Sequence, residues 1–147
     1  MNRVELLTFM RAQRWAVQAS VSERNAPQAA VIGIAITDEF EVVFDTLSDA
    51  RKAINLRHNP RIALVIGWDD AETVQYEGVA DEPTGEELAR IKSIYFAKFS
   101  DGVERGRQPG IAYFRVRPTW IRYSDFRKGD PVIITFDVAA LTHAPPA

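Results

Sequence analysis

Residues 42–60 read V-V-F-D-T-L-S-D-A-R-K-A-I-N-L-R-H-N-P. An apolar run leads into Thr46, a polar turn carries Ser48 and Asp49, and a helix over Asp49–Arg57 follows with Arg51 and Lys52 in its first turns. Asn59-Pro60 stops that helix, because the residue before a proline is pushed out of helical geometry. The start of a helix holds backbone N–H groups without intrahelical partners and a partial positive charge, so it attracts anions. A hydroxyl, a guanidinium and an ammonium placed there form a phosphate cradle. The same spacing also describes an ordinary strand–helix connection with a solvated basic turn, and on spacing alone that is the simpler account.

The chain before this stretch predicts an amphipathic helix over Arg3–Gln13, with Val4, Leu7 and Met10 at helical spacing and Leu6 and Phe9 widening the apolar face. Trp15–Ser22 alternates, with Trp15, Val17, Ala19 and Val21 on one face and Gln18, Ser20 and Ser22 on the other, as a half-buried strand does. Glu23–Pro27 has turn chemistry. Gln28–Thr37 is apolar on both faces and predicts a central strand, with Gly33 marking a bulge or a close backbone approach. Asp38-Glu39 turns the chain into the strand Phe40–Thr46.

After the basic helix, Arg61–Trp68 and Thr73–Asp81 predict a hairpin around Asp69–Glu72. Thr84 with Glu87 has capping-box spacing and opens a helix that runs to about Phe99. Ser100–Gly110 is a polar loop. Ile111–Arg117 and Trp120–Asp125 follow as two strands around Pro118-Thr119, then a turn over Arg127–Pro131, a last strand Val132–Phe136 and a frayed tail His143–Ala147. Six or seven short strands joined mostly by hairpins, with helices between, predict a mainly β fold: an antiparallel split β-barrel with flanking helices. Length favours one domain over residues 1–147.

Composition narrows the chemistry. The net charge of −2 offers no general field for nucleic acid. The absence of cysteine excludes disulfides and thiolate chemistry and fits a reducing compartment. The two histidines, His58 and His143, have no metal-ligand spacing, so no metal site is expected. No nucleophile elbow or Gly-rich nucleotide fingerprint is present. No apolar run reaches membrane-spanning length, and no charged-then-apolar leader opens the chain, so a cytoplasmic protein without membrane contacts is the expectation. Arg115, Arg117 and Arg122 place cations on strand faces, which calls for solvent, acidic neighbours or an anionic ligand. No side chain stands out as catalytic, so any redox chemistry needs a bound cofactor.

The segment Phe44–Pro60, with its strand, Arg-Lys pair and Asn-Pro in register, resembles the flavin phosphate-binding segment of the pyridoxamine 5′-phosphate oxidase-like family of FMN-binding split β-barrels. The order around it is similar too: an N-terminal helix, a long apolar strand before the motif, Ile62–Trp68 after it, Val74–Ala80 (V-Q-Y-E-G-V-A) and a late pair of strands, together covering Val4 to Asp125. The resemblance implies that Arg51 and Lys52 hold the FMN phosphate, and that Thr46 and Leu47 contact the flavin side through the backbone. It implies that Ile32, Gly33 and Ile34 line the ring. It also implies a homodimer with flavin at the subunit interface, where the second subunit contributes Gln75, Trp120 and Arg122.

Two departures matter. The family often has a serine directly before Arg-Lys; here that position is Ala50, and Ser48 is the nearby substitute. The oxidases proper carry an Arg-x-His element near the C-terminus, whereas Trp120–Arg127 reads W-I-R-Y-S-D-F-R. The reading is therefore an FMN-binding oxidoreductase with a small-molecule substrate unassigned. The alternatives are a non-catalytic flavin-binding or stress-related protein, and a deazaflavin-dependent reductase.

Overall fold

The computed structural model describes residues 1–143. The chain folds as α1 (Arg3–Ala12), β1 (Trp15–Val21), β2 (Pro27–Gly33), β3 (Ala35–Ile36), β4 (Val42–Leu47), α2 (Arg51–His58), β5 (Arg61–Ile66) and β6 (Glu72–Asp81). Then come α3 (Gly85–Lys98), α4 (Asp101–Arg105), β7 (Ile111–Asp125), β8 (Val132–Phe136) and α5 (Val138–Thr142). Of the expected tail His143–Ala147, residues 144–147 lie outside the described residues.

All strand pairs are antiparallel, in the order β2-β1-β5-β6-β7-β4-β3, with β8 added to β7. The two ends of that order, β2 and β3, are consecutive in the chain. The long apolar run before the basic helix is thus one segment that leaves β1 and joins β4. It breaks at Ile34, whose N–H donates to the Arg14 carbonyl at 3.1 Å. This closes a mainly β sheet into the split barrel with flanking helices.

The barrel interior holds Ile32, Ile34, Val42, Phe44, Leu64, Ile66, Val74, Tyr76, Phe114, Val116 and Ile121. α1 and α2 pack into the same core through Leu6, Met10, Ala53 and Leu56. A second, smaller cluster lies outside the sheet, where Ile91 and Tyr95 of α3 and Phe99 at its C-terminal end cover Ala35, Val43 and Tyr113. One half of the outer sheet face is therefore covered by α3, while the half formed by β2, β1, β5, β6 and the end of β7 is not.

Several local expectations change. Ile111–Arg117 and Trp120–Asp125 are one strand, β7, because β6 pairs along its whole length and absorbs Pro118 in a register shift at Glu77/Gly78. The loop Ser100–Gly110 contains the short helix α4. Thr84 caps α3 without a side-chain hydrogen bond. Its supposed partner Glu87 accepts instead from Arg90 and Arg115. A two-guanidinium environment outweighs one backbone N–H as a partner for a carboxylate. A capping box does form, at α1, between Asn2 and Glu5.

The polarity of β1 is the reverse of what alternation implies. Gln18 and Ser20 point inward and are buried, while Trp15, Val17, Ala19 and Val21 point outward. A strand that buries its amide and turns its half-buried valines outward is shaped by something other than its own core.

Candidate functional site

α2 begins at Arg51, and its N-cap is Ala50, which supplies no side-chain hydrogen bond. The first-turn N–H groups are thus left to a ligand or solvent. The helix is set against the barrel by Asn55, a buried residue that donates to Ser20 Oγ at 3.1 Å and to Gln28 Oε1 at 2.9 Å. Arg51 Nε donates to the same Gln28 oxygen at 3.1 Å.

Between α2 and the β1–β2 hairpin lies a hollow of about 190 Å³, lined by Gln18, Ser20, Gln28, Ala29, Ala30, Arg51 and Lys52. It has two cations and no carboxylate in its wall. Among the described residues neither Arg51 nor Lys52 forms an ion pair. Gln18 is 1% exposed, and its Oε1 has no hydrogen-bond partner. An unpaired buried carbonyl oxygen beside two cations that have no carboxylate partner fits a ligand that brings both an anion and a donor.

Thr46 and Leu47 end β4, paired with Ala112 and Ile111. Ser48 stands apart from the Arg51/Lys52 hollow. Its Oγ and carbonyl accept from Arg57 at 3.1 and 2.6 Å, and it borders a different hollow of about 430 Å³ with Leu47, Asp49, Pro109 and Gly110. Ile32 and Ile34 turn their side chains into the core. Only their backbone and Gly33 face outward, and a Cβ on Gly33 would come within 3.0 Å of the Phe99 ring.

Gln75, Trp120 and Arg122 come together on the uncovered outer face. Gln75 pairs with Arg122 across β6–β7, and the Arg122 guanidinium sits 4.9 Å from the Trp120 ring centroid. They continue a row in which Val31, Val17, Val65, Gln75 and Arg122 are cross-strand neighbours. A hollow of about 260 Å³ runs between Val17, Val65, Gln75 and Trp120.

Arg115 and Arg117 answer to acidic neighbours rather than to a ligand. Buried Arg115 binds Asp81 at 2.6 Å and Glu87 at 2.7 Å, with Glu41 at 3.6 Å, and hydrogen bonding to Asp81 leads the causes that raise its pKa. Arg117 lies 3.8 Å from Glu41 and 3.7 Å from Asp81. Arg122 is on the same strand, beyond the bulge, and its Nε donates to Thr135 Oγ1 at 3.2 Å. Among the described residues no group of three or more His, Asp or Glu is placed to hold a metal ion.

Sequence reasoning missed Gln18, Ser20, Gln28 and Asn55. For Gln18 and Ser20 the available signal was polar side chains at alternate positions of β1, but their burial runs against the apolar alternation of that strand. Gln28 on β2 and Asn55 on α2 carried no local signal.

Residues 4–125 match the family model described as pyridoxamine 5′-phosphate oxidase. The chain belongs to this family. A pyridoxine/pyridoxamine 5′-phosphate oxidase from Burkholderia thailandensis is 39% identical over 80 residues, which cover 54% of this chain and 36% of that protein. The chain thus matches about a third of the length of such curated relatives. Among solved structures, a heme binding protein from Mycobacterium smegmatis superposes with a TM-score of 0.80 at 18% identity, covering 97% of this chain and 60% of that one. General Stress Protein 26 from Bacillus anthracis gives 0.69 at 19% identity, covering 91% and 98%. These structural likenesses concern the fold. Among the described residues no helix is long and apolar enough to cross a membrane.

Proposed function

We propose that this protein binds FMN, with its phosphate at the start of α2, and works as a homodimeric flavin-dependent oxidoreductase on a small molecule. The observation that carries the reading is the Arg51/Lys52 hollow, where two cations without counter-charge share a wall with an unpaired buried amide. Arg51, Lys52 and the uncapped first turn of α2 would anchor the phosphate. Thr46, Leu47 and the backbone at Ile32, Gly33 and Ile34 would flank the ring system. Gln75, Trp120 and Arg122 lie on the uncovered outer face rather than in that hollow. This separation supports a site shared between two copies, with those three residues coming from the partner. Bound flavin supplies hydride transfer at N5, and the chain's own residues anchor and orient it.

The test is the absorption spectrum of the purified protein and the identity of the group released on denaturation. Flavin bands and released FMN support the proposal. A heme spectrum would instead place this chain with the activity named for its Mycobacterium neighbour. A colourless protein that takes up no added FMN would sink the reading. Reduction of bound flavin by NADH or NADPH separates an oxidoreductase from a non-catalytic flavin carrier. Comparing affinities for FMN and a deazaflavin decides between those cofactors.

A further inference from the structure

The floor of the α2 hollow holds one side chain that the rest of the molecule leaves unsatisfied. Gln28 Oε1 already accepts from both Asn55 and Arg51, and Ser20 Oγ accepts from Asn55. Gln18 alone keeps a buried carbonyl oxygen without a donor. It sits in the middle of β1, directly across from Ala30, whose short side chain leaves the space beside it open. A buried amide oxygen left unpaired is costly, and a methionine or leucine of similar size would avoid that cost. The terminal torsion of glutamine is broad and roughly two-fold, so rotation about it exchanges Oε1 with Nε2 and turns Oε1 from its enclosed position toward the hollow.

The chemistry of the missing partner follows from the atom. Oε1 accepts hydrogen bonds and does not donate them. An ionised phosphate also only accepts, and its natural partners in this hollow are Arg51, Lys52 and the α2 N–H groups. The partner of Gln18 is therefore a donor attached close to the phosphate, and a hydroxyl on a polyol chain is such a donor. We infer that Gln18 is a ligand-contacting residue of this site, its amide oxygen accepting a hydrogen bond from a hydroxyl of the chain next to the phosphate. This rests on the FMN reading and assigns the part of that ligand read by β1.

A double-mutant cycle tests it with FMN as the probe, read by fluorescence quenching or calorimetry. Q18M is expected to weaken FMN binding about five- to tenfold, the range of one neutral hydrogen bond. The melting temperature of the ligand-free Q18M protein is expected to be unchanged or higher, because an unpaired polar atom has gone. The loss in the Q18M/K52A double variant is expected to be the product of the two single losses, since independent contacts add in free energy. Unchanged affinity in Q18M overturns the assignment while leaving the FMN reading intact. A strongly non-additive cycle overturns it too, placing both residues on the phosphate. A lowered melting temperature of the ligand-free variant makes Gln18 a structural residue instead. Wild-type protein that binds no FMN overturns the flavin reading and this assignment together.

Discussion

Lys52 shows how much one unpaired charge can decide. Its ammonium lines a hollow without carboxylates, so its attraction for an anion is not spent on an internal partner. Lys52→Ala should leave the fold intact and cost about 1.5–3 kcal/mol of FMN binding, the value of a charge-assisted hydrogen bond. Titration with FMN checks this, and an unchanged affinity would place the phosphate elsewhere. Lys98 is the opposite case. Its ammonium donates to the Arg11 carbonyl at 3.2 Å and to the Gln13 carbonyl, yet burial, helped by the nearby Arg14 charge, brings its pKa down to about 8. The unfolded lysine titrates near ~10.4. Between those two values the unfolded chain binds more protons than the folded one, so stability should rise with pH across that window. Lys98→Met should remove that rise, as urea midpoints measured below and above the window will show.

At the scale of elements, the bulge between β6 and β7 governs where the late strand residues point. An added Cβ at Gly78 would sit 2.5 Å from the Arg117 carbonyl oxygen and 2.6 Å from Val116 Cγ1. The first of these is backbone and cannot rotate away. Gly78→Ala should therefore destabilise the fold by about 1–3 kcal/mol, the usual cost of overpacking, with a lowered melting temperature as the readout. Side chains alternate along a strand, so a register change here would also turn Trp120 and Arg122 off the outer face. The β1 strand shows why a correct element is not yet a correct site. Alternation places the strand at Trp15–Ser22, one residue beyond its observed end at Val21, but it favours the apolar face as the inner one, and the structure buries the polar face instead. The packing of Asn55 against Ser20 settles the choice, and that contact joins residues 35 positions apart.

At the scale of the whole molecule, α3 covers only part of the barrel's outer surface. The remaining face presents Val31 at 59% exposure and Val65 at 40%, in one cross-strand row with Gln75 and Arg122. A contiguous apolar row of this kind belongs to an interface more often than to free surface. Under the proposed dimer, Val65→Glu should give a monomer by light scattering, with normal circular dichroism and lost FMN binding. A Val65→Glu protein that remains dimeric would place the interface on another face. The ionic cluster of Arg115, Asp81, Glu87 and Glu41 lies on the α3-covered side, where a buried guanidinium is matched by carboxylates from β6, α3 and the β3–β4 turn. It ties the helix to the sheet and does not line the Arg51/Lys52 hollow.

By itself the sequence determined the mainly β barrel class, because hairpin spacing and strand alternation are local signals. It also determined the strand–turn–helix at residues 42–60, since proline, the basic pair and the apolar run are each read within a few positions. Only the tertiary structure decided that Gln28–Thr37 serves two neighbours and closes the barrel, and that Pro118 interrupts one strand rather than separating two. It alone placed Ser48 with Arg57 and gave Arg115 acidic partners. It also decided that the polar face of β1 turns inward to meet α2. Each of these depends on contacts between residues distant in the chain, and the energy that selects among them comes from burial and partner satisfaction that no short window contains. The position of Arg51 and Lys52 in the first turn of α2 was legible because a helix start is local. Gln18 was not, because its unpaired oxygen exists only once the barrel has closed around it.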